Sequence, residues 1–314
     1  MNVLIAGITG QDGAYLAQRL LARGDEVIGT TRDAATCDLS RLDRLGVTGQ
    51  VRVVSMLPAD YRSVLRTISE AKPREIYFLA GQTSVGLSFD QPVEAIESIA
   101  TGILNILEAI RFLDPSIRLF NAGSSECFGD TGRVAATELT PFRPLSPYAV
   151  AKATAHNLVA NYRIAYNLFA CTGILFNHES PLRPTRFVTQ KIVQGAREIA
   201  AGKRKSLSLG NLDISRDWGW APEYVDAMAL MLSADAPEDF VIATGRTVSL
   251  SYFVEKTFAH FDIDWRECVV TDASLKRPSD ISFGAGDPSL IAARLGWKAQ
   301  VDVDGVIARM CKIE

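Results

Sequence analysis

Tyr148 and Lys152 stand four residues apart in segment 146–152 (SPYAVAK), a spacing that puts both on one face of a helix. An ammonium beside a phenol stabilises the phenolate and lowers its pKa, so the tyrosine can exchange a proton with a substrate hydroxyl near neutral pH. Upstream, the apolar run 118–121 leads into Gly123-Ser124-Ser125-Glu126. Ligands gather at the carboxyl edge of a parallel sheet. The Ser124 hydroxyl, the Glu126 carboxylate, Tyr148 and Lys152 are therefore expected to converge at one strand end. For Glu126 a helix-cap or salt-bridge role stands beside the chemical one.

A second constellation lies at the amino end. Residues 7–13 (GITGQDG) set Gly7, Gly10 and Gly13 in a G-x-x-G-x-x-G pattern, after the strand-like run 3–6 and before a helical pattern over 14–21. Glycines permit the tight turn and let backbone N–H groups approach a pyrophosphate at the helix N-terminus, where the helix dipole favours anions. The strand–turn–helix context is the test this motif requires. A dinucleotide is the expected cofactor. Arg32 and Asp33 follow the second strand. An acidic residue there binds the ribose hydroxyls of NAD, and an arginine accommodates the extra phosphate of NADP. Arg32 points to NADP and Asp33 pulls the other way, unless both side chains face solvent.

Positioning these groups takes alternating elements. Runs 3–6, 26–29, 51–54, 76–79 and 118–121 read as buried strands, and helical spacing fills the gaps between most of them. That alternation predicts a doubly wound parallel sheet of Rossmann type with right-handed crossovers. Long helices over 92–113 and 147–166 either meet a second subunit or only cover the sheet. After Ile174 the prolines 181, 184, 222, 237 and 278 break the chain into shorter pieces. The expected division is a dinucleotide-binding domain over 1–175 with a return segment 212–245, and a smaller C-terminal α/β lobe over 176–211 and 246–314.

Composition excludes several classes. The 314 residues are 47% hydrophobic and 22% charged, enough for a large core, and 33 basic against 36 acidic side chains leave a net charge of −3. Neither a nucleic-acid footprint nor a polybasic membrane patch is expected from that balance. Lys203-Arg204-Lys205 reads as a solvated turn before a strand. Five scattered cysteines without a C-x-x-C pair argue against a disulfide framework or a zinc knuckle. No run approaches 18 apolar residues, and a strand-like run begins at Asn2, so neither a membrane span nor a signal peptide is expected. The expectation is a cytoplasmic protein. His178 and Glu179 show no H-E-x-x-H spacing and no third ligand, so they read as fold-stabilising and no metal is expected.

Further blocks extend the pattern: 75–89 (EIYFLAGQTSVGLSF), 123–129 (GSSECFG), 173–191 (GILFNHESPLRPTRFVTQK), 209–219 (LGNLDISRDWG) and 239–245 (DFVIATG), with Arg277-Pro278. Almost end to end, the chain resembles the extended short-chain dehydrogenase/reductases and, within them, the GDP-mannose 4,6-dehydratase family. The resemblance implies a lyase of deoxysugar biosynthesis that dehydrates a GDP-linked sugar through bound NADP, with NAD the lesser alternative. It implies that Tyr148 takes the C4 hydroxyl proton, Ser124 hydrogen-bonds that oxygen where the family usually has threonine, and Glu126 removes the C5 proton. Residues 7, 9–13, 32, 80, 82, 148 and 152 would hold the cofactor: Gly7, Thr9, Gly10, Gln11, Asp12, Gly13, Arg32, Ala80 and Gln82 beside Tyr148 and Lys152. Ser84, Asn177, Lys191, Arg216, Arg277 and Asp280 would hold the nucleotide sugar; for Arg216 a fixed pair with Asp213 or Asp217 is the alternative. A homodimer or homotetramer is implied. The rivals are the same chemistry on a GDP-linked heptose or amino sugar, and a 4-keto reductase or 4-epimerase, neither of which needs a C5 base.

Overall fold

Val3, Leu4, Ile5 and Ala6 are all fully buried, as they must be in a strand covered on both faces. The computed structural model describes residues 1–275 and 278–312. In chain order it gives β1 (Asn2–Ala6), α1 (Gln11–Ala22), β2 (Glu26–Thr31), α2 (Ser40–Arg44), β3 (Val51–Ser55), α3 (Tyr61–Ala71), β4 (Glu75–Phe78), α4 (Val85–Asp90), α5 (Pro92–Ile96) and α6 (Gly102–Leu113). There follow β5 (Arg118–Ala122), α7 (Pro147–Tyr166), β6 (Ala170–Leu175), β7 (Asn177–Glu179), α8 (Val188–Ala200), β8 (Leu207–Leu209), β9 (Ser215–Trp220) and α9 (Ala221–Ser233). The last are β10 (Phe240–Ile242), β11 (Thr247–Ser249), α10 (Leu250–Ala259), β12 (Val269–Thr271), α11 (Ser289–Leu295) and α12 (Val303–Cys311).

Seven strands form one parallel sheet in the order β10-β6-β5-β4-β1-β2-β3. The chain runs outward from β1 to β3, then crosses back to place β4 on the other side of β1. The switch point therefore lies between β1 and β4, where Ala6 pairs with Phe78, and a crevice must open at their carboxyl ends. One face is covered by α1 and α9 with Leu16, Leu20, Tyr224 and Met228. The other is covered by α3, α6 and α7 with Ile68, Ile103, Leu107 and Val159. This is the doubly wound architecture expected.

The helix expected over 92–113 departs from a regular α-helix at its centre. Between α5 and α6, Glu97–Thr101 forms a π-helical turn. Ser98 in that turn donates to Glu94 O at 2.6 Å and accepts from Gln82 N at 3.1 Å. A side-chain hydroxyl competing with the backbone ladder is a recognised cause of such distortions, and here it turns Ser98 toward the crevice.

Beyond the main sheet, β7, β9 and β11 form a second sheet and β8 pairs with β12. Their core contains Ile192, Trp218, Phe253, Phe258, Ile307 and Met310. Segment 212–245 serves both parts: β9 joins the second sheet, whereas α9 packs on α1 and β10 closes the edge of the main one. Cys127, Cys171, Cys268 and Cys311 are buried, Cys37 is half-buried, and all five are free thiols. Among the described residues, no helix is long and apolar enough to cross a membrane.

Candidate active site

A cleft of about 1350 Å³ runs along the carboxyl edge of the sheet from the β2 end to the second sheet. Its floor begins with the glycine loop. Gly7 takes φ +94°, a conformation that favours glycine. Its N–H is held by Thr30 O at 3.1 Å, and Gly10 N donates back to Gly7 O at 3.1 Å. Gly13 lies within the first turn of α1, which starts at Gln11 rather than after the third glycine. A Cβ on Gly13 would stand 2.3 Å from Gly7 O, and one on Gly7 3.0 Å from Ala80 N. Only glycines let the helix and the β4 loop close on this turn. The first N–H groups of a helix have no acceptor within it, and the first turn of α1 borders the cleft beside Gly7 and Gly10. This glycine cradle fits a pyrophosphate.

At the β2 end, Arg32 is 80% exposed and lies 3.7 Å from the Glu94 carboxylate. Asp33 is turned into its own loop, accepting from Ala35 N at 2.9 Å and Thr36 Oγ1 at 2.7 Å. Arg41, which carries no motif, reaches in from α2 and donates to Thr9 O at 3.0 Å and Leu182 O at 2.9 Å.

The centre of the cleft is built by β5 and α7. Gly123 N donates to Gly173 O at 2.8 Å, carrying the chain beyond the strand end into Ser124. The Ser124 hydroxyl caps the single 3₁₀ turn Ser125–Phe128 by accepting from Glu126 N at 3.3 Å. Ser146 caps α7 through Ala149 N at 3.1 Å, which sets Tyr148 in the first turn and Lys152 one turn later, both buried. Lys152 Nζ donates to Ala122 O at 2.6 Å and lies 5.9 Å from the Tyr148 ring. Burial pulls the Lys152 pKa down to about 8, against the attraction of Cys127 and Asp12. Burial also pushes the Tyr148 hydroxyl well up, while its hydrogen bond with Ser124 works the other way. The expected lowering of the tyrosine pKa by a neighbouring ammonium is thus corrected to a raised one. Lys152 directs its proton to a backbone carbonyl, and desolvation of the phenol dominates.

The far wall comes from 177–191 and β9. His178 Nε2 donates to Asp12 Oδ2 at 2.9 Å and Nδ1 to Phe176 O at 2.7 Å. Burial opposes charge on both partners. Their mutual attraction prevails, holding Asp12 at about 2 and raising His178. Glu179 accepts from Thr189 Oγ1 at 2.7 Å and pairs with Arg183 at 3.1 Å. Both residues therefore tie segments together. Lys191 enters from the first turn of α8, and Asn177 from the start of β7. Arg216, buried, donates to Ser215 O at 2.9 Å and Ile281 O at 2.8 Å and pairs with Asp280 at 3.3 Å. The fixed pair with Asp213 or Asp217 gives way to Asp280. Successive strand residues point to opposite faces, and Asp217 is occupied on its own face by Thr244 N, Thr244 Oγ1 and Gly245 N. Ser84 caps α4 through Leu87 N at 3.3 Å, and its own N–H is held by Gln82 Oε1 at 2.6 Å.

One cleft thus gathers Gly7, Thr9, Gly10, Gln11, Asp12, Gly13, Arg32, Ala80, Gln82, Ser84, Ser124, Glu126, Tyr148, Lys152, Asn177, Lys191, Arg216 and Asp280. Arg277 lies outside the described residues. The sequence reading missed Arg41, Glu94, Ser98, Arg183 and Arg186, which also line it. The two last sit inside the 173–191 block and could have been found there; the others carry no local signal.

Residues 4–310 match the family model for GDP-mannose 4,6 dehydratase. The chain is 41% identical over 317 residues to GDP-mannose 4,6 dehydratase 2 of Arabidopsis thaliana, covering 98% of this chain and 85% of that one. It is 40% identical over 336 residues to GDP-mannose 4,6 dehydratase of Cricetulus griseus, covering 99% and 90%. The dTDP-glucose 4,6-dehydratase of Streptomyces venezuelae, solved with NAD bound, has a TM-score of 0.86 over 99% of this chain and 96% of that one; at 22% identity the likeness is one of fold. A match of this extent, on a chain whose glycine cradle, Tyr148–Lys152 pair and Glu126 open onto one cleft, shows that the protein belongs to the GDP-mannose 4,6-dehydratase family.

Proposed function

We propose that the protein is a 4,6-dehydratase that converts GDP-mannose to GDP-4-keto-6-deoxymannose by internal hydride transfer through bound NADP. The observation that carries this reading is the presence of a carboxylate, Glu126, in the same cleft as Ser124, Tyr148 and Lys152. Tyr148 accepts the C4 hydroxyl proton, and Ser124, already its hydrogen-bond partner, steadies that oxygen. A ketone at C4 acidifies the C5 hydrogen, which Glu126 then removes before assisting loss of the C6 hydroxyl as water. A dinucleotide seated by its pyrophosphate in the glycine cradle would supply the hydride chemistry, and the Lys152 ammonium would favour the phenolate against the cost of burial. A reductase or epimerase needs no C5 base, so Glu126 weighs against both.

Arg32 at the adenosine end supports NADP, and Asp33, engaged in its own turn, offers it no competition. Lys191 and Arg216, with Arg277, supply cations for a diphosphate. Asp280 holds Arg216 in place, and Ser84 and Asn177 complete the sugar side. Most dinucleotide contacts come from residues 1–175 and most nucleotide-sugar contacts from 176–211 and 246–314, with Ser84 and, from the segment 212–245, Arg216 adding to the latter. We further infer a cytoplasmic homodimer built on the long helices, where Val150, Thr154, Asn157 and Ile164 form one solvent-facing stripe of α7. Light scattering that gives a concentration-independent monomer mass would refute the dimer. Incubating the protein with a panel of nucleotide sugars and reading products by mass tests the function. GDP-mannose should lose about 18 mass units, one water. Unchanged mass with a changed sugar would make the protein an epimerase.

A further inference from the structure

The cofactor cradle and the substrate wall are joined by buried side chains that take no part in the proton and hydride transfers above. Gln11, 5% exposed, donates through Nε2 to His178 O at 3.1 Å and Asp12 Oδ1 at 3.1 Å, and accepts through Oε1 from Ser180 Oγ at 2.8 Å. Ser180, fully buried, also accepts from Leu182 N at 3.1 Å. Both ends of the Gln11 amide are thus used within the protein. On the adjoining side Arg41 spans Thr9 O and Leu182 O, and Arg44 donates to Pro181 O at 3.1 Å. The two parts are also anchored separately. The glycine loop is held by Thr30 O, and β7 by its pairing with β9. Removing the Gln11–Ser180 contact takes away one buried link between two walls that each keep their own anchor.

We propose that Gln11 and Ser180 are positioning residues that latch the glycine loop to the substrate wall, so that the dinucleotide is not released while it is reduced. This rests on the dehydratase reading. There, the C4–H bond gives up its two electrons as hydride and the C4 hydroxyl its proton to Tyr148, the C5 proton and the C6 hydroxyl leave as water, and the hydride returns to C6 while a proton returns to C5. A reduced cofactor lost between these steps strands a 4-keto sugar and leaves an enzyme without oxidant. A redox-neutral enzyme of this kind needs slow cofactor release, which an oxidoreductase exchanging cofactor at every turnover does not.

The test uses Ser180→Ala and Gln11→Leu, with Thr67→Val as the control. Thr67 is a buried hydroxyl of α3 that donates to Ser63 O at 2.8 Å and does not line the cleft. Fluorescence of bound NADPH, chased with excess NADP, gives the release rate without substrate. Each latch variant should release about tenfold faster, the scale of one lost buried hydrogen bond, and the double variant should be no faster than the faster single. Thr67→Val should match the wild type. In turnover without added NADP, the latch variants should stop after few products per enzyme and resume when NADP is supplied. Unchanged release in both single variants, or an equal acceleration in Thr67→Val, overturns the latch. If Ser180→Ala does not fold, Gln11→Leu carries the same comparison. Faster release in a protein whose wild type leaves GDP-mannose intact supports the latch and overturns the substrate reading.

Discussion

Lys152→Met should leave the protein as stable or more stable while nearly abolishing turnover. Lys152 is 3% exposed, and burial holds its pKa at about 8 against 10.5 for the free side chain. That difference corresponds to ~3 kcal/mol by which burial of the ammonium opposes folding at pH 7. Methionine has a similar length and carries no charge. The change also removes the hydrogen bond to Ala122 O, and an unmatched buried carbonyl costs about 1–3 kcal/mol. The net expectation is a change between none and a gain of ~2 kcal/mol. Turnover should fall by roughly two orders of magnitude or more, since the phenolate loses its cation. The pH dependence isolates the cause. Below about pH 8 both the folded and unfolded chains carry this proton, so the full penalty applies. Between about 8 and 10.5 only the unfolded chain binds it, and wild-type stability should gain up to ~1.4 kcal/mol per pH unit from this group. Urea denaturation of both proteins from pH 7 to pH 10 measures the difference. A variant that loses more than ~2 kcal/mol at pH 7, and whose stability runs parallel to the wild type with pH, would refute the reasoning.

Glu126→Gln keeps the size and polarity of the side chain but cannot accept a proton. The variant should still develop the absorbance of bound NADPH after GDP-mannose is added, yet incorporate no deuterium at C5 and release little product; dehydration at the wild-type rate would make Glu126 structural. Arg32→Ala should weaken NADP roughly tenfold more than NAD, as read by titration calorimetry, and an equal loss for both would remove Arg32 from cofactor selection. For the Asp12–His178 pair, the Asp12 contribution is complete above 3.8 and disappears as pH falls through about 2. The His178 contribution is complete below 6.5 and disappears as pH rises through its raised pKa. The melting-temperature gap between wild type and Asp12→Asn should therefore be widest between pH 3.8 and 6.5 and narrow on either side; a gap constant from pH 3 to 9 would show that the pair does not act through charge.

Short-range geometry was legible because it is encoded by neighbours along the chain. The glycine loop is a strand, a turn and a helix within 21 residues, Asn2 to Ala22, and its glycines are required by distances among those same residues and Ala80. Tyr148 and Lys152 share a helix face by periodicity alone. Alternating runs likewise implied the parallel sheet, since only strands covered on both faces are apolar throughout. Partner choice lay beyond that reach. The neighbours of Arg216 in sequence suggested Asp213 or Asp217, but strand alternation turned Asp217 away and the fold returned Asp280, 64 residues later, to the guanidinium. Gln11 found Ser180 across 169 residues, and Arg41 bridged two loops with no motif of its own. Burial was equally beyond the sequence. Tyr148 beside Lys152 read as a phenol with a lowered pKa, whereas enclosure by α7, β5 and the 3₁₀ turn raised the phenol and lowered the amine. Spacing specifies which groups lie side by side on one element; the packing of elements decides which of them meet across the fold and how much water each keeps, and that decides their charge.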